Sequence, residues 1–331
     1  MADIRRVRIA GTGAFLPEKR LTNAMLEARG IGTTDEWIVE RTGIRERRMA
    51  EPGTPVSEIA LPAAQQALEA AGIGPADVDA IVFGTSTPDS ISPASACMLQ
   101  KSLAAPSAGA FDIISGCSGF LVALDLGRAM VAARQYENVL AVGADVMTSV
   151  VNPLQRDVCV IFGDGAGAAI VQPATDEQGA ILHSVIRSQG DNEIMYVKAG
   201  GSLHPASAET VANDEHYFQM AGRRVYVFAV KTIESLVHEV LAETEYEISD
   251  IDWFVPHQMN ELILKTAFVE RLGVPWERVV VNLERYGNTT AGTIPIALDE
   301  AVRDGRIQRG QLICMVVVGA GLTWGATLAR Y

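Results

Sequence analysis

The sequence predicts an α/β fold that is internally duplicated, and two observations lead to this prediction. The segment ADVDAIVFGTS at 76–86 resembles SDIDWFVPHQM at 249–259, and each follows a stretch with apolar residues at helical spacing, at 57–72 and 228–244. The same offset aligns two more pairs of apolar strand candidates: AFDIIS at 110–115 with VVVNLE at 279–284, and NVLAVGADV at 138–146 with QLICMVVVGAG at 311–321. Strands that alternate with helices predict parallel sheets between helical layers.

The repeat divides the chain into two similar halves, at 1–172 and 173–331. A length of 331 residues favours two domain-sized units over one simple domain. The alternative is a chance likeness between two α/β stretches. The duplication is favoured because the candidate reactive residues fall at matching strand ends.

Composition excludes several classes of partner. Forty acidic against 27 basic side chains give a formal net charge of -13, which opposes attachment to nucleic acid or to an anionic membrane. No apolar run is long enough for a transmembrane helix, and the first residues lack the apolar core of a signal peptide. We therefore expect a cytoplasmic protein with neither a nucleic-acid nor a membrane partner.

The four cysteines are far apart in the sequence and include no CxxC pair, which argues against zinc and against a disulfide framework. Cys97, Cys159 and Cys314 lie within apolar runs and are interpreted as buried small residues. Cys117 instead follows a strand candidate and precedes a helical stretch. At such a turn the helix N-terminus is expected to lower the pKa of the thiol and to offer amide donors to an oxyanion.

His257 and Asn288 are the other two candidates for catalysis. His257 follows the apolar run IDWFV, at the edge of a sheet where ligands commonly bind. Asn288 lies in RYGNTTAG, within two residues of the position that matches Cys117 in the other half. Taken alone, a lone histidine is more often structural, and an asparagine after glycine is often a turn former.

Seven ordered segments resemble the beta-ketoacyl-acyl carrier protein synthase III family, the initiating condensing enzymes of bacterial fatty acid synthesis. They are DEWIVERTGIRERR at 35–48, TPDSISPASAC at 87–97, FDIISGCSGF at 111–120, FGDGAGAAIV at 162–171, VPHQMN at 255–260, YGNTTAG at 286–292 and GAGLTWGA at 319–326. The resemblance implies a thiolase fold with α-β-α-β-α layers, and a homodimer. It also implies a Cys-His-Asn site at the base of a tunnel for a pantetheine arm.

The resemblance also implies roles for individual residues. Cys117 would carry the acyl group, the backbone amides of Cys117 and Ala320 would form an oxyanion hole, and His257 with Asn288 would stabilise the enolate of the extender. Trp37, Arg41, Arg156 and Asn260 match positions that bind substrate or coenzyme A. For Trp37 a packing role is an equal alternative, and the arginines have neighbouring carboxylates to pair with. Ser92 replaces a bulky aromatic that often closes the acyl pocket across the dimer interface.

The expected reaction is decarboxylative Claisen condensation of an acyl thioester primer with a malonyl-type thioester, through acyl-Cys117. No metal and no permanently bound cofactor are expected, because coenzyme A or carrier-protein thioesters enter as substrates. The carrier remains open between coenzyme A, a generic carrier protein and a dedicated one. One alternative is a relative that joins two acyl or ketoacyl chains in polyketide or long-chain hydrocarbon synthesis, and another is a non-catalytic acyl-binding protein.

Overall fold

Two β-sheets form the framework of the protein, in a computed structural model that describes residues 5–174 and 179–331. The first sheet has five strands in the spatial order β1 (Val7–Phe15), β7 (Asp164–Pro173), β6 (Val139–Val146), β4 (Ala80–Gly84) and β5 (Gly109–Ile113). The second has four, in the order β11 (Trp253–Pro256), β12 (Leu312–Gly319), β13 (Thr323–Arg330) and β8 (Ala180–Ser188). Two small two-stranded antiparallel sheets pair β2 (Arg20–Thr22) with β3 (Glu46–Arg48) and β9 (Met195–Val197) with β10 (Phe218–Met220).

Helices cover both sheets and fill the space between them. They are α1 (Asn23–Glu27), α2 (Asp35–Thr42), α3 (Val56–Ala71), α4 (Ser95–Leu103), α5 (Gly119–Ala132), α6 (Arg156–Cys159), α7 (Ala208–Ala212), α8 (Gly222–Ala242), α9 (Glu261–Leu264), α10 (Leu283–Tyr286) and α11 (Thr293–Arg303). α3 and α4 pack on the outer face of the five-stranded sheet, α5 and α11 lie between the sheets, and α8 packs on the outer face of the four-stranded sheet. This α-β-α-β-α layering confirms the predicted fold class. Within the described ranges, no helix combines the length and apolar character needed to cross a bilayer.

Strand side chains alternate between two separate apolar cores. In β4, Ile81 and Phe83 belong to the core beneath α3 and α4, whereas Val82 belongs to the central core around α5. In β12, Met315 faces the central core and Cys314 faces the core beneath α8. Because both faces of each sheet are covered, these strands are apolar at successive positions. The continuous apolar runs in the sequence follow from this arrangement.

Two expectations for the strands are wrong. The sheets are mixed: β4 pairs in parallel with β5 and β6, and β11 with β12, but β7 is antiparallel to β1 and β6, and β13 to β12 and β8. The predicted strand at 279–284 forms only an isolated bridge between Val279 and Phe254. The Val280 amide donates to the Phe254 carbonyl of β11 at 2.8 Å, but beyond it the Gln258 side chain donates to the Val280 carbonyl at 2.9 Å and accepts from the Asn282 amide at 3.0 Å. A side chain therefore takes the place of a neighbouring strand.

Gly143 allows the strand β6 to approach the segment that follows Asn288. A Cβ atom at this position would overlap the carbonyl oxygen of Ala291 and would lie 2.6 Å from the Cβ of Phe120. No side chain separates the two backbones, so the two halves of the chain are in direct contact beside the candidate site.

Replacing Gly143 with Ala should lower the free energy of unfolding by about 1–3 kcal/mol, because the added methyl group must displace backbone atoms. Gly190→Ala is the matched control, since a Cβ there meets no atom within 4 Å, and it should change stability by less than about 0.5 kcal/mol. Urea unfolding of both variants measures the difference. Equal stabilities would show that the two backbones separate at no cost.

Candidate active site

A cavity of about 630 Å³ brings the three predicted catalytic residues together. Cys117, His257 and Asn288 all line it, and they come from both halves of the chain. Trp37 and the exposed Arg41 line it as well, so the cavity extends from the catalytic residues to the protein surface. A cavity of this size accommodates a small organic ligand.

Cys117 lies in a short 3-10 turn, Gly116–Ser118, between β5 and α5, as the sequence predicts. Gly116 precedes it with φ +51°, a left-handed conformation that glycine adopts without steric cost. A Cβ atom at Gly116 would lie 2.9 Å from the backbone nitrogen of Ala320, so this turn packs directly against the turn between β12 and β13. The backbone N–H groups of Ala320 and Cys117 lie close enough to the sulfur to lower the pKa of the thiol. Two amide donors therefore meet at the thiol.

The thiol of Cys117 is protonated at neutral pH. Its pKa is raised to about 12, chiefly by burial and in addition by the nearby Asp145 carboxylate, while the two amides lower the pKa by less. The sequence-based expectation of a lowered thiol pKa is therefore wrong. The helix N-terminus and amides favour the thiolate, but withdrawal from water and a nearby anion outweigh them.

His257 is neutral for the same reason. It follows β11 directly, is 1% exposed, and burial lowers the pKa of its imidazole to about 3. Its Nδ1 atom lies 2.6 Å from the hydroxyl of Thr293 at the start of α11, which fixes the plane of the ring. The site thus offers a neutral imidazole and a neutral thiol.

Asn288 presents an amide whose orientation is held from one side. Its backbone N–H donates to the Ile161 carbonyl at 2.9 Å, and its side-chain Oδ1 accepts from the backbone N–H of Thr290 at 2.8 Å. Because the oxygen is engaged, the amide NH₂ remains as the donor for a group in the cavity. This residue is therefore suited to bind a developing oxyanion.

At the outer end of the cavity two guanidinium groups lie close to the indole of Trp37. The guanidinium carbons of Arg41 and Arg156 lie 4.9 and 4.6 Å from its ring centroid. Arg156 also pairs with Asp157 at 2.9 Å, as the alternative interpretation expects. The result is a flat, positively charged surface at the mouth of the cavity.

Two other predicted residues are arranged differently. Asn260 lines the cavity, but its side chain donates to the Arg41 carbonyl at 2.8 Å and accepts from the amides of Leu262 and Ile263. It therefore caps α9, and its role toward substrate remains a prediction. Ser92 is exposed, outside the lining of this cavity, in the segment before α4.

Other residues of the site were not identified from the sequence. The two-stranded sheet of β9 and β10 contributes four apolar residues to the wall: Met195, Val197, Phe218 and Met220. Their short strands gave no periodic pattern. Asp145 was also missed, although a carboxylate within the apolar run NVLAVGADV is itself an indication of a buried polar role. Among the described residues, no group of three or more His, Cys, Asp or Glu side chains is placed to hold a metal ion.

The chain is similar to known proteins over its whole length. Residues 111–190 match the family described as 3-oxoacyl-acyl-carrier-protein (ACP) synthase III, and residues 241–331 match the C-terminal part of that family. A Koribacter versatilis protein named beta-ketoacyl-acyl-carrier-protein synthase III is 41% identical over 333 residues, covering 100% of this chain and 99% of that protein. The crystal structure of 3-oxoacyl-acyl-carrier-protein synthase III from Aquifex aeolicus VF5 superposes on this chain with a TM-score of 0.90. The two chains are 39% identical, and the match covers 98% of this chain and 100% of that one. OleA from Xanthomonas campestris, solved with lauric acid and lauroyl-CoA, shares the fold with a TM-score of 0.85 at 19% identity, covering 99% and 100% of the two chains.

Alkylation of Cys117 by iodoacetamide should become about tenfold faster with each pH unit from pH 7 to pH 10. Below its pKa the thiolate fraction of a thiol rises tenfold per unit, and the thiolate is the reacting form. Peptide mass spectrometry of timed samples measures the rate at this cysteine. An unstructured cysteine peptide in the same solution is the control, and its rate should level off within about one pH unit above its thiol pKa of roughly 8.5. A rate at Cys117 that levels off below pH 8 would contradict a protonated resting thiol.

Proposed function

The chain belongs to the 3-oxoacyl-acyl-carrier-protein synthase III family, and we propose that it makes a 3-oxoacyl thioester through an acyl group held on Cys117. It is a condensing acyltransferase, as the full-length relatives named for this activity indicate. The observation that carries the assignment to these residues is the meeting of Cys117, His257 and Asn288 in one cavity with two amide donors. A thiol nucleophile with preorganised donors is the arrangement that acyl transfer requires.

In the first half-reaction, the sulfur of Cys117 attacks the carbonyl carbon of an acyl thioester. A carbon–sulfur bond forms, the carbonyl oxygen takes the negative charge, and the amides of Cys117 and Ala320 stabilise it. The intermediate collapses with loss of the thiol of the carrier. Since Cys117 starts protonated, its proton leaves with the departing thiolate, and the site gains no net charge.

In the second half-reaction, a malonyl-type thioester loses carbon dioxide and an enolate forms. His257 and Asn288 are proposed to donate hydrogen bonds to the enolate oxygen. A neutral imidazole does so through Nε2–H once the Thr293 hydroxyl turns its proton from the Thr290 carbonyl to Nδ1. The carbanion then attacks the acyl carbonyl, a carbon–carbon bond forms, and the bond to Cys117 breaks. The released thiolate takes a proton from water, which restores the resting thiol. The electron pair that remains after loss of carbon dioxide comes from the substrate itself, so this chemistry needs no permanently bound cofactor.

The mouth of the cavity supports a thioester substrate with a nucleotide end. Trp37 and the guanidinium planes of Arg41 and Arg156 beside it offer stacking surfaces for adenine, and the two arginines offer positive charge for phosphate. We propose that primers enter here as coenzyme A thioesters, and that the extender arrives on coenzyme A or on an acyl carrier protein. Both carry the thiol on a long arm that a cavity of this length admits.

We also propose a homodimer built on the free edge of β5. This strand ends the five-stranded sheet, and large apolar side chains around it face solvent in the single chain: Ile91 is 93% exposed, Phe111 37% and Ile114 79%. An open strand edge with apolar side chains favours pairing with a second copy. Ser92 lies in the same exposed segment, so it reaches an acyl pocket only across such an interface. The cytoplasmic location stays a prediction.

Replacing Cys117 with Ala should abolish both the acyl adduct and condensation. His257→Ala and Asn288→Ala should slow condensation by about 10²–10³-fold, since each removes a donor to the enolate, while acylation falls much less. Intact mass spectrometry after mixing with acyl-CoA measures acylation, and chromatography of the 3-oxoacyl product measures condensation. Cys97→Ala is the control and should retain both. An acyl adduct that persists in Cys117→Ala would refute the assignment, and so would the absence of any adduct on the wild type, which the non-catalytic alternative predicts.

Primers longer than acetyl should be preferred, because Ser92 lacks the aromatic ring expected to close the acyl pocket. Each methylene buried in the vacated space contributes about 0.8 kcal/mol to binding. Ser92→Phe should shift kcat/KM toward short primers, and the exposed Ser202→Phe is a control that should leave the ratio unchanged. A panel of acyl-CoA thioesters measures the ratio. If acetyl-CoA were the best wild-type primer and medium chains were inert, the pocket assignment would be wrong.

A further inference from the structure

The carboxylate of Asp145 lies behind the catalytic residues with no exposed surface. It accepts hydrogen bonds from five neutral donors: the hydroxyls of Thr85, Thr87 and Thr290 and the backbone amides of Ser86 and Ala291. Burial raises the pKa of this carboxyl group. A buried carboxylate is costly unless its hydrogen bonds are satisfied, and here both oxygens are. The free-energy cost of burying this carboxylate indicates that Asp145 does more than fill space in the core.

These donors come from two segments that belong to different halves of the chain. Thr85 follows β4, whereas Thr290 follows Asn288. Oδ1 of Asp145 accepts from Thr85 at 3.1 Å, and Oδ2 accepts from Thr290 in a short hydrogen bond and from the Ala291 amide at 3.1 Å. One carboxylate therefore holds the Asn288 segment against the first sheet.

Thr290 has an unusual backbone and connects several parts of the site. Its φ is +48°, in the left-handed region that β-branched residues rarely adopt. Its N–H holds Oδ1 of Asn288 at 2.8 Å, and its carbonyl oxygen lies 2.9 Å from the Thr293 hydroxyl, which in turn contacts Nδ1 of His257 at 2.6 Å. Its own hydroxyl donates to Asp145. Strain of this kind persists only where surrounding contacts enforce it.

We propose that Asp145 and Thr290 form a positioning pair that orients Asn288 directly and His257 through Thr293. Neither residue is proposed to touch the reacting atoms. The pair sets the two enolate donors at once, because both depend on the backbone of Thr290. The proposal rests on the proposed function, since it assigns the pair to the condensation step rather than to acylation of Cys117.

Asp145 also contributes to the resting state of the nucleophile. The groups that act on the Cys117 thiol are the Asp145 carboxylate from β6 and the amides of Ala320 and Cys117, with neutral His257 facing the same cavity. Asp145 accepts all five of its hydrogen bonds, as an ionised carboxylate does, whereas the other groups are neutral. Removing that charge should therefore favour the thiolate.

Thr290→Val tests the pair by removing the hydroxyl while keeping the branched shape. Condensation should fall by about 10²-fold, the loss associated with a misplaced catalytic group, while acylation of Cys117 falls by less than tenfold. Thr290→Ser restores the hydroxyl and should recover most of the activity. Thr290→Gly removes the hydroxyl and also relieves the left-handed strain, so it should fold well and still lose condensation. This variant covers the case in which Thr290→Val does not fold.

Asp145→Asn provides a readout that a merely structural role would not move. This variant should alkylate faster than wild type at Cys117 at pH 8, yet condense more slowly. Thr12→Val is the matched control, because Thr12 is similarly buried and donates to Asp299 at 2.9 Å from β1, the strand at the edge of the sheet. It should leave the ratio of acylation to condensation unchanged.

Equal losses of acylation and condensation in Thr290→Val and Thr290→Gly would overturn the proposal, as would slower alkylation in Asp145→Asn. Failure of the proposed function itself would be seen separately. In that case wild-type protein would form no acyl adduct at Cys117, and no variant would be informative about orientation.

Discussion

Contact between backbones, with no side chain between them, is the constraint on which this site depends. Gly143 meets the carbonyl of Ala291, and Gly116 meets the amide of Ala320. Side chains flex by rotation about their bonds, but two packed backbones have few alternative arrangements. The nucleophile and the donors of the other half therefore keep a fixed separation without help from a ligand. A preorganised arrangement of this kind avoids reorganisation when charge develops.

The same burial decides the charge of the site. It holds Cys117 protonated and His257 neutral, so the cavity wall next to the reacting atoms carries no charge in the resting protein. The nearby anion, Asp145, lies behind the wall and is fully hydrogen-bonded. Negative charge that appears on a thioester oxygen is then met by dipoles alone. Dipoles in a medium of low dielectric constant interact strongly with such charge.

Local pattern was sufficient to predict the strands β4, β6 and β12 and the helices α3 and α8, because their apolar runs record burial on one or two faces. It was also sufficient to identify Cys117, His257 and Asn288 as candidates. It was not sufficient at 279–284, where Gln258 replaces a strand partner. Nor does a sequence reveal that burial outweighs a helix N-terminus at Cys117, since that balance depends on contacts between distant segments. The hydrogen bond from the Thr290 hydroxyl is likewise not visible in the sequence, because its partner, Asp145, lies on β6 in the other half of the chain.

A protonated resting thiol makes Cys117 less sensitive to oxidation by peroxides. Peroxides attack thiolates, and a cysteine that ionises easily passes through sulfenic acid to forms that cannot be reduced again. The resting Cys117 exposes sulfur to the cavity but keeps its proton, so reactivity appears only while a thioester is bound and the sulfur is attacking it. Burial that weakens the resting nucleophile thereby restricts its chemistry to the substrate and protects it from oxidative damage between turnovers.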